Sequence, residues 1–153
     1  MLHGLLCRDG AGRMRTDAEA ALAGLSPASP WRTATMVFKG VSDLLEGRAG
    51  HADATLAHAV EVGRHTRALP AISAAPAERC LLAIRRDDWA QAETLAEQAL
   101  AIMTAGRLDD YIMSPLVHAA AARTALHRGA VPAAREHLTG PPACGRCSPT
   151  RFP

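Results

Sequence analysis

IRRDDWAQA (residues 84–92) decides the fold, because its pattern returns twice, as LLEGRAGHA at 44–52 and LHRGAVPAA at 126–134. Each copy reads as an apolar position, two or three polar or small residues, a sharp turn, and a helix opening on Ala. The copies start about 40 residues apart. Self-similarity at a period of roughly 20–50 residues marks an array of stacked helix pairs. Such a unit cannot bury its apolar face alone. It exists to stack on its neighbours and to present a surface.

Upstream, GRMRTDAEAALAG (12–24) predicts a helix with Ala18, Ala21 and Leu22 on a narrow apolar face and Gly24 as its stop. Ser29 and Pro30 supply a hydroxyl N-cap and a first-turn proline for a helix over 31–46. After a tight turn at 47–50, a partner helix over 51–68 turns Ala52, Leu56, Ala59 and Val60 inward. Pro70 opens the next unit. Pro76 falls inside its first helix, where an interior proline costs about 3 kcal/mol, so a late helix start at Ser73 or Ala75 is expected rather than a bend. Asp87 and Asp88 cap the following helix, which carries Trp89, Ala92, Leu95, Ala96, Ala99 and Met103 at helical spacing and ends at Gly106. Residues 107–112 form a connector. Ser114-Pro115 repeats the start signature, a helix reaches His127, and Gly129 turns the chain into a last helix over 132–138. Ala52, Ala92 and Ala133 are expected at the points where paired helices approach closely, since interaxial distance depends on the side chains at the contact.

Composition agrees. The chain has 153 residues, is rich in Ala and Leu, and is only 3% aromatic. Ala and Leu lose little side-chain entropy in a helix, and no β-branched run alternates with polar residues, so no strand is expected. The fold class is all-α: a tetratricopeptide-like helical-repeat solenoid of about three and a half helix pairs. Residues 1–138 form this partial array. Residues 139–153, TGPPACGRCSPTRFP, have no helical period, and this Pro/Cys tail is expected to be disordered. A net charge of +2 gives no electrostatic footprint for nucleic acid. No apolar stretch of about 18 residues predicts a membrane span, and the apolar run before Arg8 is too short for a signal peptide. Cys7, Cys80, Cys144 and Cys147 are therefore expected as reduced thiols in the cytoplasm.

Four stretches carry a family resemblance: CRDGAGRMRTDAEAALAGLSPASPWR (7–32), AERCLLAIRRDDWAQAETLAEQALAIM (77–103), GRLDDY (106–111) and VHAAAARTALHRGAVPAAREHL (117–138). In this order they resemble the tetratricopeptide-like helical region of large LuxR-type transcriptional regulators of the MalT kind, common in actinobacteria. The resemblance spans residues 5–138. It implies a sensor or transducer region that receives a small-molecule inducer or a protein partner, placed between an ATP-binding domain and a helix-turn-helix. The chain has no GxxxxGK[ST] loop and no helix-turn-helix after Leu138, so neither ATP binding nor direct nucleic-acid binding is assigned to any residue. The abrupt change of composition after Leu138 is expected of a fragment of such a regulator, from a shifted frame or a split gene.

Candidate sites are few. Cys144-x-x-Cys147 has the spacing of half a zinc knuckle, with Cys80 and His137 as candidate completions, but zinc sites usually come as two close pairs and the second has no ligand spacing. His58, Glu61 and His65 share a helix face; two His and a Glu can bind zinc when they converge, but a solvated polar surface gives this spacing far more often. Asp87, Asp88, Asp109 and Asp110 are two carboxylate pairs at helix ends, where capping is their role. Trp89 belongs in the core by its register, and Trp31 stands where it can fill the gap to the preceding unit. Arg32, Arg85 and Arg86 have the charge for an anion, yet solvated helix faces account for them. No catalytic, cofactor or metal residue is assigned.

The function expected is a non-catalytic binding scaffold whose concave face takes a protein, a peptide or an inducer, with no membrane partner and with self-association through its uncapped ends. A free-standing tetratricopeptide-like adaptor is the alternative; a small enzyme or metal protein using the cysteines is a third.

Overall fold

Helical periodicity and capping signals along the chain are realised as α-helices throughout the computed structural model, which describes residues 9–139. The expected disorder of 139–153 lies outside these residues, apart from Thr139. In chain order the elements are α1 (Ala11–Gly24), α2 (Pro30–Leu45), α3 (Ala49–His65), α4 (Leu69–Ile72), α5 (Ala74–Arg85), α6 (Trp89–Gly106), α7 (Ser114–His127) and α8 (Val131–Thr139). The described residues contain no strand, so the chain is all-α. None of their helices is long and apolar enough to cross a membrane.

The repeated nine-residue pattern is a helix-stop device. After α2, α3, α5, α6 and α7 one residue adopts a left-handed backbone: Gly47 (φ 78°), Arg67 (55°), Asp87 (59°), Arg107 (50°) and Gly129 (74°). At each, the next residue's N–H reaches back five positions to a helix carbonyl. These bonds are Arg48 to Asp43 at 2.8 Å, Ala68 to Gly63 at 2.8 Å, Asp88 to Ala83 at 3.0 Å, Leu108 to Met103 at 3.0 Å and Ala130 to Ala125 at 2.9 Å. Carbonyls that the helix end would strand are thus satisfied, and the chain reverses at once. Glycine makes this cheap at 47 and 129. Arginine and aspartate carry a left-handed cost of about 1–2 kcal/mol at 67, 87 and 107.

Starts differ more than stops. Ser29 caps α2 as expected, its side chain accepting from the Trp31 N–H at 3.4 Å, and Asp88 caps α6 by accepting from Gln91 N–H at 3.1 Å. Ser114 does not repeat this. It lies inside α7, whose N-cap is Met113 with no side-chain hydrogen bond. Asp109 and Asp110 are exposed connector residues, not caps.

As expected, the helix that carries Pro76 starts late, at Ala74 with Ser73 as its N-cap. A helical turn, α4, precedes it, and Ser73 joins α4 to α5 with helical angles (φ −58°, ψ −35°). Proline lacks the N–H that would bind the Ile72 carbonyl, and its ring crowds that oxygen. The ladder therefore breaks at Ser73, and Pro76 itself is fully buried.

Each helix packs mainly on its next neighbour and its next but one: α2 on α3, α3 on α5, α4 on α6, α5 on α6 and α7, α7 on α8. The larger core joins Cys80, Ala83 and Ile84 of α5 to Leu95, Ala96 and Met103 of α6 and Val117 of α7. A second joins Met36, Leu56, Val60 and Ile72 to Ile102 of α6. Ala52 and Ala92 are fully buried, as expected of close-contact positions. In the last pair the contact residue is Ala134, with Ala133 only partly buried, one place from the expected position. The tightest approaches are at glycine. A Cβ on Gly40 would lie 2.6 Å from Leu56 Cγ, and one on Gly63 would lie 2.3 Å from Ile72 Cγ2.

An ion cluster ties α1 to the first pair. Asp43, its side chain only 2% exposed, accepts from Lys39 Nζ at 3.1 Å and from Arg48 at 2.6 and 2.9 Å. Arg48 also pairs with Glu46, and Arg15 of α1 reaches Glu46 at 3.2 Å. Burial raises the pKa of Asp43, but the Arg48 and Lys39 hydrogen bonds outweigh it and hold the carboxyl below its ordinary value.

Candidate functional site

The open concavity of interest lies where α3 faces the second helix pair. It has a volume of about 440 Å³ and is lined by Ala54, Ala57, His58, Val60, Glu61, Arg64, Arg79 and Gln98. Six of these come from α3, Arg79 from α5 and Gln98 from α6. The helix register explains the lining. Residues 54, 57, 58, 61 and 64 follow the i, i+3, i+4, i+7 spacing of one helix face, flanking the inward stripe of Ala52, Leu56, Ala59 and Val60. Two alanines and Val60 give a small apolar surface, and polar side chains stand round it.

The charges in this groove are unequal. Arg79 Nε donates to Asp53 at 2.7 Å, with side chains only 16% and 27% exposed. That bond orients the guanidinium, and its other N–H groups carry no hydrogen bond among the described residues. Arg64 is exposed, and its side chain has no such partner either. A guanidinium offers five donors in a planar fork that matches a carboxylate. The groove can therefore hold an apolar side chain beside a carboxylate or a carbonyl. Glu78, next to Arg79, is partly buried, and burial raises its carboxyl pKa.

The remaining candidates fall apart or find structural work. His58 Nδ1 lies 3.9 Å from Glu61, while His65 Nδ1 donates to the Glu61 backbone carbonyl at 2.8 Å. The three side chains do not converge, and among the described residues no three His, Cys, Asp or Glu side chains gather as a metal site. Asp88 caps, but Asp87 takes the left-handed turn position and accepts from Trp89 Nε1 at 2.7 Å. Trp89 is only partly buried. Its ring stacks on His127 with centroids 3.6 Å apart and planes 2° from parallel. Trp31 fills no gap and is 60% exposed. Arg32 is no anion site, because its guanidinium donates to the Leu22 and Leu25 carbonyls at 3.0 and 3.1 Å, closing the end of α1. Arg85 and Arg86 are exposed.

Cys80 is wholly buried in the larger core, where burial pushes its thiol up to about 11. A thiol so held is neither a nucleophile nor a metal ligand. Cys144 and Cys147 lie outside the described residues. His137 sits in α8 with its ring centroid 6.0 Å from that of His118 in α7. Burial, with His118 and Arg128 nearby, holds His137 below its ordinary pKa against the opposing charge of Glu136. Sequence reasoning misses this histidine pair, because its members are 19 positions apart; only the α7–α8 packing joins them.

No protein-family model, no curated protein and no solved structure matches the chain.

Proposed function

We propose that the chain is a non-catalytic helical-repeat binding scaffold of tetratricopeptide-like type, related to the sensor or transducer region of LuxR-type regulators. The groove between α3 and the second helix pair is its recognition surface, and the ligand is an extended peptide or protein segment bearing a carboxylate. The observation that carries this reading is the groove itself, in which Arg64 and Arg79 offer uncommitted guanidinium donors beside Ala54, Ala57 and Val60. The packing of each helix on near sequence neighbours supports a repeat array, and the five equivalent helix stops support its regularity. The mixed lining suits a segment with one small apolar side chain and one acidic group.

Panning a displayed peptide library against the full chain tests this. Enriched peptides are expected to carry Asp or Glu. Arg64→Glu, an exposed substitution that leaves the core intact, is expected to weaken them at least about tenfold, since a hydrogen bond to a charged group contributes roughly 1.5–3 kcal/mol. Enrichment of peptides indifferent to Arg64→Glu and to Arg79→Ala would remove the groove from the proposal. A free-standing adaptor would use the same surface. Reading the DNA on both sides of the gene separates the two: an ATP-binding domain and a helix-turn-helix in neighbouring frames favour the regulator, unrelated genes the adaptor.

A further inference from the structure

We propose that the partner of the groove is a second copy of this chain, which docks its α6–α7 connector, Asp109-Asp110-Tyr111-Ile112, against Arg64 and Arg79 of the first. The inference rests on the reading of the groove as a recognition surface and names its occupant. The groove suits a carboxylate beside an apolar side chain, and the connector presents both. Asp109 and Asp110 are exposed and make no hydrogen bond or ion pair among the described residues. Ile112 is 81% exposed, more than any other large apolar side chain described.

The fold holds these side chains out in a fixed arrangement. The Leu108 carbonyl accepts from Tyr111 N–H at 2.9 Å, and the Tyr111 carbonyl accepts from Ser114 N–H at 2.8 Å, so two turns follow one another. Leu108 is buried and Tyr111 packs against the larger core, which anchors both turns. The first turn carries Asp109 and Asp110 at its tip, and the second carries Ile112. A segment ordered before docking loses less conformational entropy on binding.

Charge and spacing are complementary. Two guanidinium groups with free donors face two carboxylates with no partner, the pairing that a planar fork of N–H groups favours. Glu61 also lines the groove, but its carboxylate stands 3.9 Å from His58 Nδ1 and on neither arginine. From Arg64 back to Val60 and Ala57 is four and seven residues of helix, about 6–10 Å. From the two aspartates to Ile112 is two or three residues, at most about 7–11 Å. Among the described residues, no other exposed large apolar side chain offers this combination. Leu45 stands beside Asp43 and Glu46, whose carboxylates Arg48 already binds. Leu138 has only Glu136 within three positions, and Trp31, Leu126 and Val131 have no acidic residue that near. The connector does not bind its own groove, since neither aspartate is bonded to Arg64 or Arg79. Two different surfaces therefore meet, and copies can add head to tail.

Sedimentation velocity of the full chain over a hundredfold range of concentration tests this. Association is expected to grow with concentration and to weaken as sodium chloride is raised, because salt screens exposed charges. Asp109→Lys with Asp110→Lys, and separately Arg64→Glu, are each expected to weaken it at least about tenfold, the loss of one hydrogen bond between charged groups. The first variant keeps its groove and the second keeps its connector. Mixed, the two are expected to form a heterodimer although neither associates alone. Leu138→Ser, at the end of α8, is expected to leave association unchanged. Circular dichroism of each variant confirms that it folds. A chain that stays monomeric, association indifferent to either charge variant or lost with Leu138→Ser, or a mixture that stays monomeric overturns the inference. If the chain is monomeric while panned peptides still depend on Arg64, this occupant falls and the groove remains a recognition surface. If neither self-association nor peptide binding depends on Arg64, both readings fall.

Discussion

Gly63 sits where α3 meets both α2 and α4, and replacing it should expose how little space there is. A Cβ at this position would lie 2.3 Å from Ile72 Cγ2 and 2.8 Å from Thr33 Cγ2, and both side chains are fully buried. Neither is the far end of a flexible chain, because Ile and Thr are branched at Cβ and stiff at χ1. Gly63→Ala therefore forces the helices apart or drives Ile72 from its rotamer, at about 1–3 kcal/mol. Helix propensity returns up to about 0.8–1 kcal/mol for glycine to alanine in a helix interior, and less here, within the last turn of α3. The net expectation is a destabilisation of about 1–2 kcal/mol. Gly50→Ala is the control within the same helix. Nothing lies within 4 Å of a Cβ there, so it is expected to be neutral or stabilising by up to about 1 kcal/mol. Ile72→Ala alone is expected to cost about 2–5 kcal/mol through the cavity it leaves. Combined with Gly63→Ala it should cost less than the sum, because the new methyl group enters that cavity, giving a coupling of roughly 1 kcal/mol. Urea denaturation followed by circular dichroism measures all four. If Gly63→Ala is as stable as Gly50→Ala, or shows no coupling to Ile72→Ala, the close approach of α3 to α4 is refuted.

Three further outcomes are expected. Arg107→Gly relieves a left-handed residue (φ 50°) and should raise stability by up to about 1 kcal/mol, whereas Gly129→Ala (φ 74°) should lower it by about 1–2 kcal/mol; thermal unfolding of both reads the difference. The folded pKa of Asp43 lies below the ordinary carboxylate value, so its contribution is complete above the unfolded-state pKa and is lost as pH falls through the folded one. Asp43→Asn should therefore cost roughly 2–3 kcal/mol at neutral pH, below the 3–5 of a fully buried pair because Lys39 and Arg48 are partly exposed, and its stability should fall less steeply on acidification, as denaturation at a series of pH values would show. Cys80, with its thiol pushed up to about 11 and no exposed surface, should be alkylated only as fast as the core opens; rapid modification of Cys80 in the native chain would contradict its place in the core.

Local signals decided much of this fold. The recurring turn pattern sets where α2, α5 and α7 stop, since a left-handed residue and its five-position hydrogen bond are formed by the residues of the turn itself. Helical spacing placed Ala52, Leu56, Ala59, Val60, Ala92, Leu95 and Met103 inward, and all are buried. The same local logic ran α3 on to 68 and missed its stop at Arg67, because arginine carries no signal for a left-handed backbone. The late start that Pro76 imposes on α5 was legible, since it follows from the ring and its missing N–H; the separate turn α4 before it was not.

The all-α class, the period of the turns and the inward faces of the helices could be read from the chain alone, because these depend on residues within a few positions of one another. Which contacts are tight, which charges are committed and which polar groups meet emerged with the packing of the helices. Alanines were legible as small; that Gly40 and Gly63 mark the closest approaches depends on the side chains of Leu56 and Ile72 across the interface. Arg32 and Arg64 look alike as exposed cations on a helix, yet Arg32 is consumed by two carbonyls of the preceding segment and Arg64 is left facing the groove. His118 and His137 become a pair only when α8 folds back on α7. Such relations are set by helix–helix geometry, which packing fixes between residues far apart in sequence and which no local pattern encodes.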